Sequence, residues 1–303
     1  MDEQIISRIE EIHHGLDTDA RLFIKREDEI HPFISGNKYR KLKYNLIQAK
    51  RENHDTLLTF GGAFSNHISA VAFAGKEQGF KTIGVIRGEE LQTKIESNPT
   101  LRFAQDCGMQ FHFVSREDYR KKEEQGFIKT LKLKFGNFYL IPEGGTNHLA
   151  VKGCSELLNA GDADFDYICC SVGTAGTISG IINASLDHQT VIGFSALKGD
   201  FLREDIRKFA SKNKWHLNTD FHFGGYARVS DGLVDFINQF KLKMNISLDP
   251  IYTGKLVYGV MELLEQGYFK PKSKILMIHT GGLQGIKGMN VVLNKKGKTL
   301  ITV

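Results

Sequence analysis

The strongest constraint on this chain is an alternation of two kinds of segment that runs almost its whole length. Short apolar stretches rich in β-branched or aromatic residues stand at Leu22–Lys25, Thr56–Phe60, Lys81–Ile86 and Gln110–Val114. Four more follow at Asn137–Ile141, Tyr167–Ser171, Val191–Ser195 and Lys274–His279. Their length and flanking turn residues predict strands buried on both faces. Between them lie segments of helical character: Tyr39–Arg51, His67–Gln78, Pro99–Cys107, Leu149–Asn159, Thr177–Ala184, Phe201–Lys212, Gly232–Lys243 and Gly254–Gln266. Alternating strand and helix forces open, mainly parallel sheets with helices on both sides. The strands outnumber those of one modest sheet. A chain of 303 residues likewise leads one to expect two domains at about 150 residues each. The fold class is α/β.

Composition removes several alternatives. With 41% apolar and 25% charged residues, the chain can bury enough surface to fold and is not disordered. Its longest apolar runs, such as Ala70–Ala74 and Tyr167–Cys170, fall far short of the roughly 20 residues of a membrane span. A net charge of +5 suits small anionic ligands, and no basic stripe points to nucleic acid. The densest basic stretch, Lys38 to Lys43, reads as a solvated helix face, Lys38 aside. Cys107, Cys154, Cys169 and Cys170 show no metal-ligand spacing, so no metal is expected. Free, buried thiols in a reducing compartment follow. Cys169 and Cys170 adjoin in one strand and should face opposite sides of the sheet. Met1 to Ser7 lack the order of a secretory signal, so a cytoplasmic location is expected.

The 31 glycines, against 5 prolines, cluster behind the strands: Gly61-Gly62, Gly144-Gly145, Gly173-Thr174-Ala175-Gly176 and Gly281-Gly282. Loops at the carboxyl ends of parallel strands are where such sheets bind ligands. Gly173 to Thr177 join a strand to a helix start, which gathers free amides and the positive helix end for a phosphate. Neither a P-loop nor G-x-G-x-x-G is spelled, and a ligand-free turn stays equally open there. Ser65 and Asn66 stand where an N-cap belongs. His67 taken alone is a first-turn or structural residue. In Ser35-Gly36-Asn37-Lys38, the lysine falls in the first turn of a helix. The positive helix end disfavours its charge there and could leave a nucleophilic amine, while from this turn alone one more surface lysine is the plainer reading.

Seven motifs occur together in order: Ile24-Lys25-Arg26-Glu27-Asp28, Ser35 to Leu42, Gly61 to His67, Pro142 to Asn147, Gly173 to Thr177, Tyr252 to Lys255 and His279 to Gly282. In these the chain resembles the pyridoxal-phosphate (PLP) enzymes of the 1-aminocyclopropane-1-carboxylate (ACC) deaminase/D-cysteine desulfhydrase family, of fold type II. The resemblance implies PLP carried on Lys38, its phosphate on the amides of Gly173, Thr174, Ala175, Gly176 and Thr177, and its ring met by Asn66, Tyr252 and Thr280. Ser65, Asn66, His67 and Tyr226 would line the substrate side, with Lys38, Ser65 and Tyr226 catalytic.

The resemblance further implies a large domain of 1–44 plus 151–303, an inserted domain of 45–150 and a cofactor cleft between them. Homodimers are usual in the family. The implied reaction is β-elimination from a small amino acid, giving a keto acid, ammonia and sulfide from a cysteine substrate. ACC deamination is the alternative. Three positions differ from the family pattern: Thr253 where ACC deaminases carry glutamate, Phe64 where glutamine is usual, and Ser69 in place of arginine. From the residues alone, a nucleotide-binding α/β protein and a non-catalytic cofactor carrier also stay open.

Overall fold

The computed structural model describes residues 5–34 and 36–303; Met1–Gln4 and Ser35, the first residue of the Ser-Gly-Asn turn, lie outside the described residues. The strands are β1 (Ile9–Ile12), β2 (Arg21–Lys25), β3 (Thr56–Gly61), β4 (Lys81–Arg87), β5 (Gln110–Val114), β6 (Tyr139–Ile141), β7 (Tyr167–Val172), β8 (Thr190–Ser195), β9 (Trp215–Asn218) and β10 (Lys274–Ile278). The helices are α1 (Asn37–Arg51), α2 (Asn66–Gln78), α3 (Pro99–Asp106), α4 (Arg116–Arg120), α5 (Gln125–Phe135), α6 (His148–Ser155), α7 (Gly176–Ala184), α8 (Leu202–Arg207), α9 (Asp231–Met244), α10 (Thr253–Glu265) and α11 (Gly285–Lys295).

Two sheets result. The larger has the order β1-β2-β10-β7-β8-β9, parallel except for the β1–β2 pair. The smaller has the order β5-β4-β3-β6 and is parallel throughout. Each is buried on both faces. Along β7, Tyr167 and Cys169 join one core while Ile168, Cys170 and Val172 join the other. Cys169 and Cys170 therefore point to opposite faces, as the strand period requires. Leu57 and Leu58 of β3 divide the same way.

This order creates two switch points. In the larger sheet β7 leads outward to β8, while β10 lies on its other side; in the smaller, β3 leads to β4, while β6 lies on its other side. The loops after such strand pairs part in opposite directions and leave a crevice. The glycine-rich loops after β3, β6, β7 and β10 are these loops.

Several sequence expectations need correction. The segment Leu149–Asn159 is helical only to Ser155, because Asn159 instead caps a 3-10 turn over Ala160–Asp162. Phe201–Lys212 shortens to Leu202–Arg207. Strands β1 and β9 were not expected; both are four-residue edge strands with few apolar positions. Helices α4, α5 and α11 were missed as well, and Gly285 and Gly288 interrupt the helical signal of α11. The largest correction concerns Lys38 to Lys43. This is no solvated face: Arg40, Lys41 and Lys43 are buried, and each has its own partners. Arg40 donates to both carboxylate oxygens of Glu27 at 2.9 Å, and Lys43 pairs with Glu156 at 2.8 Å.

Candidate active site

The site begins with the turn that sets Lys38. Gly36 has φ +63°, and a Cβ there would lie 1.9 Å from the carbonyl oxygen of Thr280. Only glycine fits that contact. The Asn37 amide donates to the same carbonyl at 3.2 Å, which ties the start of α1 to the end of β10. Behind the turn, the Ile24 to Asp28 motif works as a clamp. Lys25 bonds Asp162 in a fully buried pair, Arg26 grips Asp28 through two hydrogen bonds, and the Glu27 carbonyl accepts from the Gly36 amide at 2.9 Å. A half-satisfied buried charge would be costly, so these pairs hold the turn in one place.

Lys38 projects from this turn into a cavity of about 600 Å³. Its ammonium donates to the Asn37 side chain at 3.3 Å, and Asn37 in turn donates to Thr177 at 2.8 Å. Burial lowers the Lys38 pKa to about 8, against weaker pulls upward from Cys154 and Asp249. The amine is therefore available as a base near neutral pH.

Beside it lies the Gly173 to Thr177 loop. The amides of Gly173, Thr174 and Ala175 donate to no acceptor within the described residues. Buried amides rarely stay unpaired, so three of them ahead of α7 form an anion cradle. Tyr252 covers one side: a Cβ on Gly173 would come within 2.6 Å of its ring. Ala175 and Gly176 are buried behind the cavity wall, whereas Gly173, Thr174 and Thr177 face it.

Sequence reasoning missed Lys41 here. Its ammonium donates to the Gly144 carbonyl at 3.0 Å and to the Thr146 and Thr174 hydroxyls at 3.1 and 3.0 Å. Burial, and then the charge of Lys38, hold it down to about 7. Lys41 follows Lys38 by three residues and so shares its helix face, the one signal that could have revealed it.

The opposite wall comes from the smaller sheet. Ser65 is the N-cap of α2, accepting from the Ile68 amide at 3.4 Å, and it lines the cavity with Asn66. His67 is turned inward. Its Nε2 meets the Thr59 hydroxyl at 2.8 Å, and that hydroxyl donates to the Ile141 carbonyl at 2.9 Å, so the imidazole nitrogen carries the proton. Burial first, then Lys38 and Lys41, lower its pKa well below the ordinary value, so it is a neutral ring supporting the floor. Arg87 and Glu143, also unforeseen, stand on this wall at the carboxyl ends of β4 and β6.

The remaining predicted residues close the far end. Thr280 bonds Ser171 at 3.2 Å, hydroxyl to hydroxyl. Tyr226 and Tyr252 face each other with ring centroids 6.4 Å apart. Lys255 fixes the Tyr226 loop by donating to the carbonyls of His222 and Gly225, both at 2.9 Å. Tyr252 is set by Asp249, whose carboxylate accepts the amides of Ile251, Tyr252 and Thr253. The Thr253 hydroxyl is spent on that same carboxylate at 2.8 Å. It presents no acid to the cleft. All the predicted site residues except Ala175 and Gly176 line this one cavity.

Comparison with known proteins agrees. Residues 6–281 match the family described as pyridoxal-phosphate dependent enzyme. The chain is 30% identical to the bifunctional D-cysteine desulfhydrase/1-aminocyclopropane-1-carboxylate deaminase of Arabidopsis thaliana, over 90% of this chain and 75% of that one. It is 27% identical to the 1-aminocyclopropane-1-carboxylate deaminase of Rhizobium rhizogenes, with 93% of each covered. Among solved structures, an ACC deaminase homologue superposes with a TM-score of 0.79 at 24% identity, covering 95% of this chain and 94% of the other. A hydrogen sulfide-producing enzyme from Fusobacterium nucleatum shares the fold at a TM-score of 0.66 and 14% identity, covering 92% and 96%. A partly buried lysine beside three open amides is what a phosphorylated aldehyde requires, and with its family's match running over residues 6–281 this chain belongs to the pyridoxal-phosphate dependent enzymes.

Proposed function

We propose that this protein eliminates a β-substituent from a small amino acid, releasing a 2-keto acid and ammonia, in the manner of a D-cysteine desulfhydrase. The observation that carries this reading is the meeting, in one cavity, of the Lys38 amine, the Gly173–Thr174 end of the open-amide loop and a hydroxyl-lined wall. Lys38 would hold the cofactor. The amides of Gly173, Thr174 and Ala175 would hold its phosphate, with Thr177 beside them and Lys41 beneath. Asn66, Tyr252 and Thr280 would border its ring. When bound, PLP supplies an electron sink for charge developing at the substrate α-carbon.

The chain's own groups supply the rest. The start of α2, at Ser65, Asn66 and His67, offers amides and a positive helix end to the substrate carboxylate. Lys38, as a neutral amine, takes the α-proton. Tyr226 is raised above the usual tyrosine range, first by desolvation in the cleft. It therefore keeps its proton at neutral pH and can donate a hydrogen bond to the departing hydrosulfide. Loss of the α-proton and the Cβ–S bond leaves an enamine, which water converts to pyruvate and ammonia. Burial of Lys38 between two walls keeps bulk water from protonating the reacting carbon.

ACC deamination is the second reading, named by both curated relatives. The engagement of Thr253 with Asp249 supports elimination over it, because no carboxylate stands where the resemblance places one. In this reading 45–150 is an inserted domain; the smaller sheet is drawn wholly from residues 56–141. A reducing compartment such as the cytoplasm accords with four free cysteines, and the homodimer implied by the resemblance belongs to the same reading. No helix among the described residues is long and apolar enough to cross a membrane.

The test is direct. Protein incubated with PLP should gain a visible absorbance band, and Lys38→Ala should lack it. Keto-acid, ammonia and sulfide release should then be measured on D-cysteine, L-cysteine, D-serine and ACC. Sulfide from a cysteine enantiomer with no 2-oxobutanoate from ACC is expected. A colourless protein after incubation, or turnover of ACC alone, would overturn the proposal.

A further inference from the structure

The smaller-sheet wall holds a cation that the proposed chemistry does not use. Arg87 is the last residue of β4, beside the β3 strand that leads to Ser65. Its side chain lines the main cavity and also an adjoining one of about 620 Å³, which Phe64, Arg120, Lys122 and Glu143 line too. Among the described residues Arg87 has no ion pair and no hydrogen bond. Its guanidinium lies 5.6 Å above the Tyr119 ring and within 3.6 Å of the point a Cβ on Gly62 would occupy. Its neighbours are committed elsewhere. Lys122 pairs with Glu143 at 3.4 Å, and Glu143 also accepts from Tyr119 at 2.7 Å. Five N–H donors in a planar fork, none of them engaged by Glu143 or another acceptor among the described residues, match a carboxylate or a similar oxyanion.

We infer that Arg87 forms a second anion subsite, so that beside cysteine the cavity takes an amino acid whose side chain ends in an oxyanion. This rests on the reading of the main cavity as an amino-acid site. The α-carboxylate has its place at the start of α2, so the guanidinium beyond Gly62 is left for a group farther along the side chain. Arg120, which also has no ion pair or hydrogen bond among the described residues, backs the same space with a second positive charge. Arg87 and Tyr226 line the same cavity, so this anion and the leaving group share one space. A neutral side chain of the same size would forgo that charge-assisted contact, which is where the preference would come from.

The test titrates PLP-loaded protein with matched pairs, aspartate against asparagine and O-phosphoserine against serine, in both enantiomers, and follows the visible band. The acidic member of at least one pair should half-saturate at a concentration ten-fold lower or more. Which pair responds separates a carboxylate from a phosphate. Arg87→Gln should raise that concentration at least ten-fold and leave the neutral amino acids within two-fold, while Arg87→Lys should recover part of the loss. Calorimetry of succinate against butyrate, on protein with and without PLP, gives a readout that needs no reaction. If no visible band forms, the cofactor reading fails, yet an Arg87-dependent preference for succinate still supports the subsite. Equal binding of acidic and neutral partners in both measurements, or a preference that survives Arg87→Gln, overturns it.

Discussion

The two walls of the cleft are built on different plans. The wall from the larger sheet rests on buried ion pairs: Lys25 with Asp162, Arg26 with Asp28, and Arg40 with Glu27. The wall from the smaller sheet rests on a helix cap at 3.4 Å, an exposed Arg87 and a Phe64 that is 42% exposed. Buried ion pairs add little net stability, but they penalise any arrangement that separates them. The first wall is therefore fixed before a ligand arrives, as cofactor binding needs. The second can change residue by residue at small cost, as substrate choice needs.

If that division holds, the largest effect should come from the turn under Lys38. Gly36→Ala places a methyl 1.9 Å from a backbone carbonyl at φ +63°. The clash and the strained dihedral together should cost roughly 3 kcal/mol. Denaturant unfolding should show the loss, and the PLP band should vanish or weaken strongly. A Gly36→Ala protein of unchanged stability and normal band would mean that the first wall is not rigid.

Much of that wall was legible in the sequence, and the reason is physical. Strands buried on both faces, glycines at the carboxyl ends of strands and a lysine in a first helical turn are local signals. Gly36, Lys38 and Gly173 to Thr177 are all of this kind. What escaped depended on distant partners. Arg40, Lys41 and Lys43 read as a solvated face because their partners, Glu27, the Gly144 carbonyl and Glu156, lie 13 to 113 residues away. Arg87 escaped for the same reason. One charged residue closing a strand says nothing of the loop it faces until β3 and β4 are paired. Edge strands β1 and β9 carried too few apolar residues to register.

Lys41 offers a middle-sized test, because it belongs to the fixed wall but was not part of the motif logic. Its loss in Lys41→Met removes a charge-assisted contact near the phosphate cradle, worth about 1.5–3 kcal/mol. PLP affinity should fall roughly 10- to 100-fold at that scale, with Lys38 still forming the band at high cofactor. The pH dependence has a defined sign. With its folded pKa near 7, far below an unfolded lysine's 10.5, Lys41 binds fewer protons when folded. Stability of the cofactor-free protein should accordingly rise with pH through that interval. A bound phosphate should pull the pKa back up, so binding at pH 7.5 should take up protons. Calorimetry in two buffers of different ionisation enthalpy measures the uptake, and Lys41→Met should abolish it.

The smallest effect should lie on the second wall, and it tests the comparison from the other side. Phe64 spans the cleft: a Cβ on Gly288 of α11 would come within 2.6 Å of its ring. It lines both cavities and stands where related enzymes are expected to carry glutamine. Phe64→Gln removes part of a half-exposed apolar contact, so stability should drop by no more than about 1 kcal/mol. Cofactor affinity should stay within two-fold, because Phe64 touches neither the amide cradle nor Lys38. The concentration of amino acid needed to shift the band should instead move several-fold, since the polar amide replaces an apolar wall beside the substrate. Were Phe64→Gln to weaken PLP as much as Lys41→Met does, the walls would be one mechanical unit. Unchanged amino-acid titrations would show that substrate choice resides with Arg87 and the start of α2, not with the ring that closes the mouth.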